Sequence, residues 1–364
     1  MVTPHLPPYQ AANALMPHVL GLEFEKRGHE VSFLTFKTAD PERVRTAYVT
    51  RRTRFRVTRV PQLLEAMETR LKVLPLLEGA DIVHVHSNTW MNQVAAKAAV
   101  RRGKPYILTH YGTEIWHHDG RNRAFRELNA RARHTTFYSA GLLARARELE
   151  VPIHEASVVY PAVDLLFSPL AAAERNAVRA PLLGSGESLL FNVKRLHPLA
   201  DHATLLRAFA LLDPSETGLR LVIAGSGDER EALESLAKEL GVGARVRFLG
   251  LVPNLEVAKL HAAADLFVLS SRLEATPTVV LEALACGTRV VSTDSPGGLE
   301  LGEMFPDDLR IVPRENPQAL ADGMAAALRE NRRISQRTSR VIDERFSLRG
   351  LVDRYGEIYR SALR

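Results

Sequence analysis

Residues 274–291 read EATPTVVLEALACGTRVV, and this pattern predicts a loop, a helix and then a strand. The predicted helix is apolar nearly all round, yet it contains Glu282, and Glu274 stands eight positions earlier in the loop. Thr276 is predicted to cap the helix, with Pro277 as its first residue, where a missing N–H costs nothing. Because burying a charge is costly unless something pairs with it, the two carboxylates predict a bound partner, with the helix end or a nearby arginine as the alternative.

The same alternation of strand and helix extends in both directions from this stretch. Helical patterns separate short apolar runs, which predicts an α/β chain with two doubly wound parallel sheets covered by helices on both faces. Strands are predicted at 30–36, 54–60, 81–86, 105–110 and 134–139, and then at 188–193, 219–225, 245–250, 265–271 and 288–294. Helices are predicted at 14–28, 91–103, 202–212, 229–241, 255–264 and 276–287.

Domain boundaries are predicted from composition. The segment 165–187 is rich in Ala, Pro and Gly and has no strand pattern, so it marks a seam. The predicted division is residues 1–165, residues 166–345 and a closing helix at 346–364 that crosses back to the first domain. The opening MVTPHLPP leaves only about three residues for the first strand, which is either short or preceded by further chain.

Composition narrows the class of protein. The chain has 364 residues, of which 46% are hydrophobic and 25% charged, as in an ordinary globular protein. It shows no signal-peptide pattern and no apolar run long enough to span a bilayer. The single cysteine, Cys286, excludes an internal disulfide framework and suits a reducing cytosol. His84 and His86 alternate on one predicted strand, where packing is the expected role, so no metal site is predicted.

Two arginine clusters stand out in a chain with a net charge of +6. Seven arginines lie within residues 43–59, and five lie within residues 121–133. Either the clusters form a solvated face, or they attract anionic lipid headgroups or an anionic acceptor. Neither shows the regular interleaving of aromatic residues that is typical of a single-strand binder, so nucleic acid is not a predicted partner.

Ligands of doubly wound sheets bind beyond the carboxyl ends of the strands. At two of these ends the chain reads AGSGDER and FNVKRLHP, which contain Gly225 and Gly227, and Lys194 and Arg195. Glycine lets a backbone approach a nucleotide closely, and paired cations suit a diphosphate, with a tight turn and a surface salt bridge as the alternatives. The third glycine of the dinucleotide fingerprint is missing, which disfavours an NAD enzyme.

Two further strand ends complete the predicted site. Leu251 follows a predicted strand, and its peptide groups can hydrogen-bond a flat base. The N–H groups of Thr278, Val279 and Val280 point out of the positive end of the quoted helix, which favours an anion.

These residues resemble glycosyltransferase family 4, whose retaining enzymes have the GT-B fold. The glutamate pair around a proline-capped apolar helix is similar to the E-x7-E signature of that family. LEFEKRGHEVSFLT, DIVHVHS, YGTEIW and YPAVDLLFSP are supporting matches, so the resemblance spans nearly the whole chain. It implies two Rossmann-like domains facing across a cleft, a nucleotide-sugar donor on the second domain, and no metal or other cofactor.

The resemblance also implies a role for each matching residue. Glu282 would hold the ribose hydroxyls, and Glu274 with the backbone at Thr276–Thr278 would hold the donor sugar. Arg195 would neutralise the leaving diphosphate, with help from Lys194. The donor-binding set is Gly225, Gly227, Leu251, Thr276, Pro277, Thr278, Val279 and Glu282, and the catalytic set is Arg195, Lys194 and Glu274.

The sequence departs from the family pattern at several positions. The lysine that usually follows the family arginine by five positions is Ala200 here. A first-domain glycine pair is replaced by QAAN, and HGTD reads YGTE, which puts Tyr111 where a sugar-contacting His is usual. The predicted sugar and acceptor side consists of Tyr9, Gln10, Asn13, His110 and Tyr111.

The predicted activity is transfer of a sugar, with retention, from a UDP-sugar or a GDP-sugar to a hydroxyl of an acceptor that the residues do not identify. One alternative is a nucleotide-sugar epimerase or hydrolase of the same fold. Another is a donor-binding, catalytically weak partner subunit, which Ala200 suggests. The predicted location is the cytoplasm, with peripheral contact at the inner face of an anionic membrane.

Overall fold

The computed structural model describes residues 1–7, 9, 12–37, 46–50, 60–116, 120–183, 188–212 and 218–364. The chain divides into two units, each with its own hydrophobic core. Unit 1 comprises Met1–Pro161 and Arg349–Arg364, and unit 2 comprises Ala162–Leu348. Both are built on parallel sheets with intervening helices, which confirms the predicted α/β class.

Unit 1 is a parallel sheet with helices between its strands. Its described elements are α1 (Ala12–Lys26), β1 (Phe33–Phe36), β2 (Thr46–Val49), α2 (Val60–Glu78), β3 (Val83–His86), α3 (Trp90–Arg101), β4 (Tyr106–His110), α4 (Thr113–Trp116), α5 (Arg123–Ala130), β5 (His134–Phe137), α6 (Ala140–Glu148) and β6 (Ala156–Val158). The strands pair as β1–β2 and as β3–β4–β5–β6, all parallel.

The opening residues act as a very short strand between β1 and β3. The N–H of Val2 donates to the carbonyl of His84 at 2.7 Å, and the N–H of Thr3 donates to that of Leu34 at 3.0 Å. Val2 therefore bridges both neighbours in parallel register. This agrees with the short first strand that MVTPHLPP predicts.

The two faces of the unit 1 sheet differ in chemistry. Leu34, Val85 and Leu108 are fully buried in the hydrophobic core on one face. The other face is polar and buried, and there the hydroxyl of Tyr355 lies 3.3 Å from Thr109 Oγ1. Tyr355 belongs to the closing helix, Leu348–Ala362, whose residues from Arg349 onward are part of unit 1.

Unit 1 contains two strands that were not predicted, and one predicted strand falls almost entirely outside the described residues. The structure has strands β2 and β6 that the sequence did not predict, since both are short and only partly buried and so lack a clear apolar run. Of the predicted strand 54–60, residues 54–59 lie outside the described residues, and Val60 begins α2. The remaining predicted strands of this half are confirmed with shorter bounds.

Unit 2 is a six-stranded parallel sheet with helices between its strands. Its elements are α7 (Ala172–Leu183), β7 (Leu189–Val193), α8 (His202–Ala210), β8 (Arg220–Ala224), α9 (Arg230–Glu239), β9 (Val246–Gly250), α10 (Asn254–Ala263), β10 (Leu266–Leu269), α11 (Thr278–Ala285), β11 (Arg289–Thr293), α12 (Pro296–Met304), β12 (Leu309–Val312), α13 (Pro317–Arg329) and α14 (Gln336–Arg345), before the closing helix α15 (Leu348–Ala362). The strand order is β12-β11-β10-β7-β8-β9. Strands β7 and β10 lie side by side at the centre, and successive strands of the chain extend outward from each of them in opposite directions.

All five strands predicted for the second half are confirmed, and β12 is an addition at the sheet edge. The predicted seam contains α7, because its alanine-rich sequence forms a helix that belongs to unit 2. Arg175 and Arg179 of α7 lie 2.6 and 2.8 Å from the carboxylate oxygens of Asp265. The two units separate at Pro161 and Ala162 instead.

Candidate active site

Two loops at the carboxyl edge of the unit 2 sheet are locked together by glycine. A Cβ atom at Gly225 would collide with the carbonyl oxygen of Lys194, and one at Gly227 would collide with that of Leu196. The N–H of Leu196 also donates to the carbonyl of Ser226 at 3.0 Å. The glycines are therefore required by the close approach of two loops, which fixes the backbone of Lys194. Their contact with a nucleotide stays a prediction.

Lys194 forms an ion pair with Glu274 at this edge. Nζ lies 2.6 Å from Oε1, and the two side chains are 28% and 12% exposed. The carbonyl of Glu274 accepts the N–H of Gly297 at 2.8 Å, so the start of α12 holds this loop in place. Arg195 is exposed, and no acid among the described residues lies within ion-pair distance of it. The structure thus neutralises Lys194 and leaves Arg195 available to an anion.

The N-terminus of α11 differs by one residue from the predicted cap. Pro277 is the N-cap in place of Thr276, and no side chain among the described residues caps the helix. The extended backbone of Pro277, with ψ of 94°, keeps it out of the helix, and its carbonyl accepts the N–H of Val280 at 3.0 Å. Of the three predicted donors, Thr278 and Val279 therefore keep N–H groups with no acceptor among the described residues. Two such groups at the positive end of a helix favour an anion.

Glu282 lies in the second turn of α11 with its side chain only 20% exposed. Burial raises its pKa from 4.5 to about 7, an effect that Lys194 and Thr278 oppose and Asp164 increases. The Nε2 atom of His261 lies 3.9 Å from Oε2. The structure therefore places at position 282 a carboxyl that is costly to ionise and can accept hydrogen bonds from hydroxyl groups.

His261 is a neighbour of Glu282 that the sequence did not single out. Its fully buried ring is surrounded by Phe167, Phe191 and Phe267, with centroid distances of 6.0, 5.0 and 4.8 Å. Burial lowers the pKa of His261 to about 3, and neither ring nitrogen has a hydrogen-bond partner among the described residues. The sequence could not predict that His261 lies beside Glu282, because a single histidine in an apolar helix has no pattern that marks it. Packing decides which side of that helix faces Glu282.

Asp164 is the second neighbour of Glu282 that the sequence left without a role in the site. Its carboxylate accepts the N–H of Leu166 at 3.0 Å, and the preceding Val163 donates to the carbonyl of Phe346 at 2.8 Å. These bonds hold Val163 and Asp164, the last two residues of the PAVD stretch, against other parts of unit 2. The match of that turn to the family pattern is the signal that could have found Asp164.

The position of the missing family lysine is buried. Ala200 is 5% exposed, and its carbonyl accepts the hydroxyl of Ser270 at 2.9 Å. The nearby cation Arg272 is already paired, since its Nε lies 3.2 Å from a carboxylate oxygen of Asp201. Arg272 is therefore not a free cation that could replace that lysine.

Leu251 follows the end of β9 with 73% of its surface exposed. The carbonyl of the preceding Gly250 accepts the N–H of Gly225 at 2.7 Å, which ties this strand end to the glycine loop. The predicted base-binding backbone thus lies next to the predicted phosphate-binding loop. Its contact with a base stays a prediction.

In unit 1 the predicted His110 and Tyr111 are held inside the fold. His110 is fully buried, with Nε2 2.9 Å from Oδ1 of Asn129. The hydroxyl of Tyr111 lies 2.7 Å from Nδ1 of His86, and burial lowers the pKa of His86 and raises that of Tyr111, so both are neutral. The N–H of Tyr111 donates to Glu114 at 2.7 Å. These residues form a hydrogen-bond cluster of unit 1, and their sugar contact stays a prediction.

Tyr9 and Asn13 lie near the start of unit 1. Tyr9 is 53% exposed and stacks on His5 with ring centroids 4.1 Å apart. The carbonyl of Asn13 accepts a hydrogen bond from the hydroxyl of Thr3. Gln10 lies outside the described residues.

The chemistry at the carboxyl edge of unit 2 is that of carboxylates, cations and backbone N–H groups. In the part of the chain that the structure describes, no group of three or more His, Cys, Asp or Glu side chains is arranged to hold a metal ion. None of the helices in that part is both long and apolar enough to cross a membrane.

Two family models match the chain. The model described as Glycosyltransferase Family 4 matches residues 18–166, and the model described as Glycosyl transferases group 1 matches residues 174–342. The first match falls largely on unit 1 and the second lies within unit 2, so together they account for most of the chain.

Similar proteins and structures agree with these matches. An uncharacterized glycosyltransferase of Methanocaldococcus jannaschii is 28% identical over 90% of this chain and 88% of its own. The N-acetyl-alpha-D-glucosaminyl L-malate synthase of Bacillus anthracis is 26% identical, and the match covers 95% of this chain and 92% of that protein. The structure of Anabaena HepE in complex with UDP and glucose has a TM-score of 0.80 at 19% identity and covers 99% of both chains. The chain therefore belongs to the glycosyltransferases of family 4 and has their GT-B fold.

Proposed function

We propose that this glycosyltransferase moves a sugar from a UDP-sugar to a hydroxyl group of its acceptor, with retention of the anomeric configuration. A GDP-sugar is the alternative donor. The observation that carries the proposal is the cluster of Lys194, Glu274 and Glu282 beside the free N–H groups that begin α11. HepE shares the fold and was solved with UDP and glucose, which supports a uridine nucleotide.

A nucleotide sugar brings two kinds of group to this cluster. Its diphosphate is an anion, which suits the exposed Arg195 and the N–H groups of Thr278 and Val279. Its ribose and sugar hydroxyls are hydrogen-bond donors, which suit the carboxylates of Glu274 and Glu282. When the donor binds, hydroxyl groups replace part of the Lys194 contact at Glu274, and Lys194 is then available to the diphosphate.

The chemical step breaks the bond between the anomeric carbon and a phosphate oxygen, and negative charge develops on the leaving diphosphate. Arg195 and Lys194 stabilise that charge more strongly as it grows, which lowers the barrier. The acceptor oxygen attacks from the face that the diphosphate leaves, and a departing phosphate oxygen takes the acceptor proton. We include no metal ion in this step, so transfer should persist in EDTA; loss of transfer that Mg²⁺ restores would contradict it.

A thermal-shift panel of nucleotides and nucleotide sugars tests the donor. A ligand at about 100 times its Kd should stabilise the protein by about 2.7 kcal/mol. Glu282→Ala should lose most of this shift, whereas Glu303→Ala, which removes an exposed carboxylate of α12, should keep it. The absence of any nucleotide shift in the wild-type protein would contradict the proposal, and a shift with GDP-sugars alone would select the alternative donor.

The buried Ala200 is the observation that favours a second candidate, a donor-binding partner subunit with weak catalysis. That candidate predicts a donor shift without release of UDP, whereas an epimerase or hydrolase of the same fold predicts turnover of the donor without acceptor. Donor consumption measured with and without a panel of hydroxyl acceptors separates the three. Consumption that requires an acceptor supports the transferase.

A further inference from the structure

His261 is a fully buried polar side chain, and neither of its ring nitrogens has a hydrogen-bond partner among the described residues. Its ring packs against Phe191 and Phe267, with centroid distances of 5.0 and 4.8 Å. A buried polar group without a partner lowers the free energy of unfolding, and an apolar side chain of similar size would avoid that loss. Packing against aromatic rings therefore does not account for an imidazole at position 261.

The nearest polar group given for this ring is the carboxyl of Glu282. Nε2 of His261 lies 3.9 Å from Oε2 of Glu282. That distance is about 0.7 Å longer than the upper end of the range for an N–H···O hydrogen bond. Because the Glu282 side chain is 20% exposed and the ring is fully buried, a ligand that approaches from solvent meets the carboxyl first. The imidazole then lies behind the carboxyl.

The backbone on both sides of this pair is held in place. His261 lies in the last turn of α10, and Glu282 lies in the second turn of α11. The hydroxyl of Thr288 donates to the carbonyl of His261 at 2.5 Å. Arg333 donates to backbone carbonyls at the ends of both helices, at 2.7 to 3.2 Å. Since these bonds join the two helix ends, rotation of the two side chains is the way to close the 3.9 Å separation.

The protonation states of the two groups are complementary. Burial lowers the pKa of His261 to about 3, so the imidazole is neutral and has one N–H donor. Burial raises the pKa of Glu282 to about 7, and Asp164 adds to this rise, whereas Lys194 and Thr278 oppose it. A hydrogen bond donated to a carboxylate favours its ionised form. His261 can therefore supply, on the buried side of Glu282, the donor that an ionised carboxylate needs.

We propose that His261 is a positioning residue for the nucleotide-sugar donor, and that its Nε2–H donates to Oε2 of Glu282 when Glu282 accepts the ribose hydroxyls. The carboxylate then has a protein donor on its buried side and ligand hydroxyls on its exposed side, which fixes its orientation. His261 itself touches no ligand. This inference rests on the proposed function, because it needs a ribose at Glu282, and it adds to that function a residue that no motif marks.

A double-mutant cycle on the Kd of UDP tests the contact. Calorimetric titrations are made at about pH 8, where Glu282 is ionised. His261→Leu should raise the Kd about tenfold when Glu282 is present, and less than about twofold in the Glu282→Gln background, where the charge is absent. His261→Gln keeps an N–H near the position of Nε2 and should bring the Kd to within about threefold of the wild type. A merely structural role would raise the Kd equally in both backgrounds, and His261→Gln would not restore it.

Phe267→Leu is the matched control, because it removes packing from the His261 ring without removing an N–H. It should lower the Tm and leave the Kd of UDP within about twofold of the wild type. A loss of affinity as large as that of His261→Leu would contradict the proposal.

The cycle also separates this inference from the proposed function. If the wild type binds UDP and Glu282→Gln weakens binding, but His261→Leu acts equally in both backgrounds, the inference fails and the proposed function stands. If the wild type binds neither UDP nor GDP, the proposed function fails, and the inference fails with it. A protein that binds GDP alone is put through the same cycle with GDP.

Nitrogen-15 NMR of the imidazole groups gives a second test on the protein with its Glu282 carboxyl intact. The chain has 13 histidines, and the signal of His261 is the one that is missing from His261→Gln. Saturating UDP should move the Nε2 proton of His261 to lower field, because a bond to a charged acceptor is short and strong. Glu282→Gln should lack this change. A His261 signal that does not respond to bound UDP would overturn the proposal.

Discussion

Replacing Glu282 by Gln tests the buried carboxyl of the proposed donor site. The substitution keeps the size of the side chain and removes its charge. Below about pH 4.5 Glu282 is neutral in the folded and the unfolded chain, and above about pH 7 it is charged in both. Between these values unfolding releases a proton, so rising pH lowers the free energy of unfolding until the carboxyl is fully ionised. Glu282→Gln should remove that loss.

The size of the effect follows from the pKa. A rise from 4.5 to about 7, at about 1.4 kcal/mol per pH unit, corresponds to about 3 kcal/mol. Because 20% of the side chain is exposed, solvent screening reduces this to about 2 kcal/mol. Above about pH 7 the variant should therefore exceed the wild type in free energy of unfolding by about 2 kcal/mol, and near pH 4.5 the two proteins should be equal.

Urea titrations followed by circular dichroism at about pH 5 and pH 8 measure this difference. Binding of UDP should change in the opposite sense, because the ionised carboxylate accepts ribose hydroxyls and the amide does so less well. Wild-type affinity should rise as pH increases through about 7, and that of the variant should stay low. A stability difference that does not change with pH would refute the buried charge, and equal UDP affinities at about pH 8 would refute the ribose contact.

Three further substitutions probe the surroundings of this site. Gly227→Ala places a Cβ atom against a backbone carbonyl and should lower the free energy of unfolding by more than about 2 kcal/mol in urea titrations. In the control Gly243→Ala the nearest neighbour of the new Cβ atom lies 3.5 Å away, so the loss should be less than about 1 kcal/mol. Equal losses in the two variants would contradict the loop contact. Arg333→Met removes hydrogen bonds of 2.7, 2.8 and 3.2 Å to backbone carbonyls at the ends of α10 and α11 and should cost about 3 kcal/mol, so an unchanged Tm would count against this role. His261 has a pKa lowered from 6.5 to about 3, so the stability it contributes is present above pH 6.5 and lost as pH falls towards 3. His261→Phe should reduce the fall in the free energy of unfolding between about pH 6.5 and pH 3. The same fall in the variant and the wild type would contradict the prediction.

The positions of most strands were predictable because their signal is local. A run such as Leu189–Val193 is apolar and β-branched whatever surrounds it, and the structure confirms it as β7. Strands β2 and β6 were not predictable, since they are short and partly buried, and pairing with a neighbour decides them. The cap of α11 was predicted to within one residue, because both Thr276 and Pro277 suit a helix start and only the backbone conformation selects between them.

The residues proposed to bind the donor in unit 2 were predicted from motifs, but their protein partners were not. Lys194 was expected to serve a diphosphate, and the structure pairs it with Glu274 at 2.6 Å. His261 and Asp164 interact with Glu282 from other parts of unit 2. Only Asp164 lies in a stretch that matches the family pattern, and no residue pattern marks His261.

The sequence by itself determined the alternation of strands and helices, the glutamate pair and the cationic strand end, because each of these depends on residues close together in the chain. Tertiary structure alone decided which of these groups meet. Lys194 and Glu274 are distant in the chain, and they become neighbours because β7 and β10 pair in the sheet and so end at the same edge. In the same way, only packing decided that Leu63, Leu64 and Leu71 of α2 face outward while Glu65 is buried, since the sequence of an amphipathic helix does not say which side is covered.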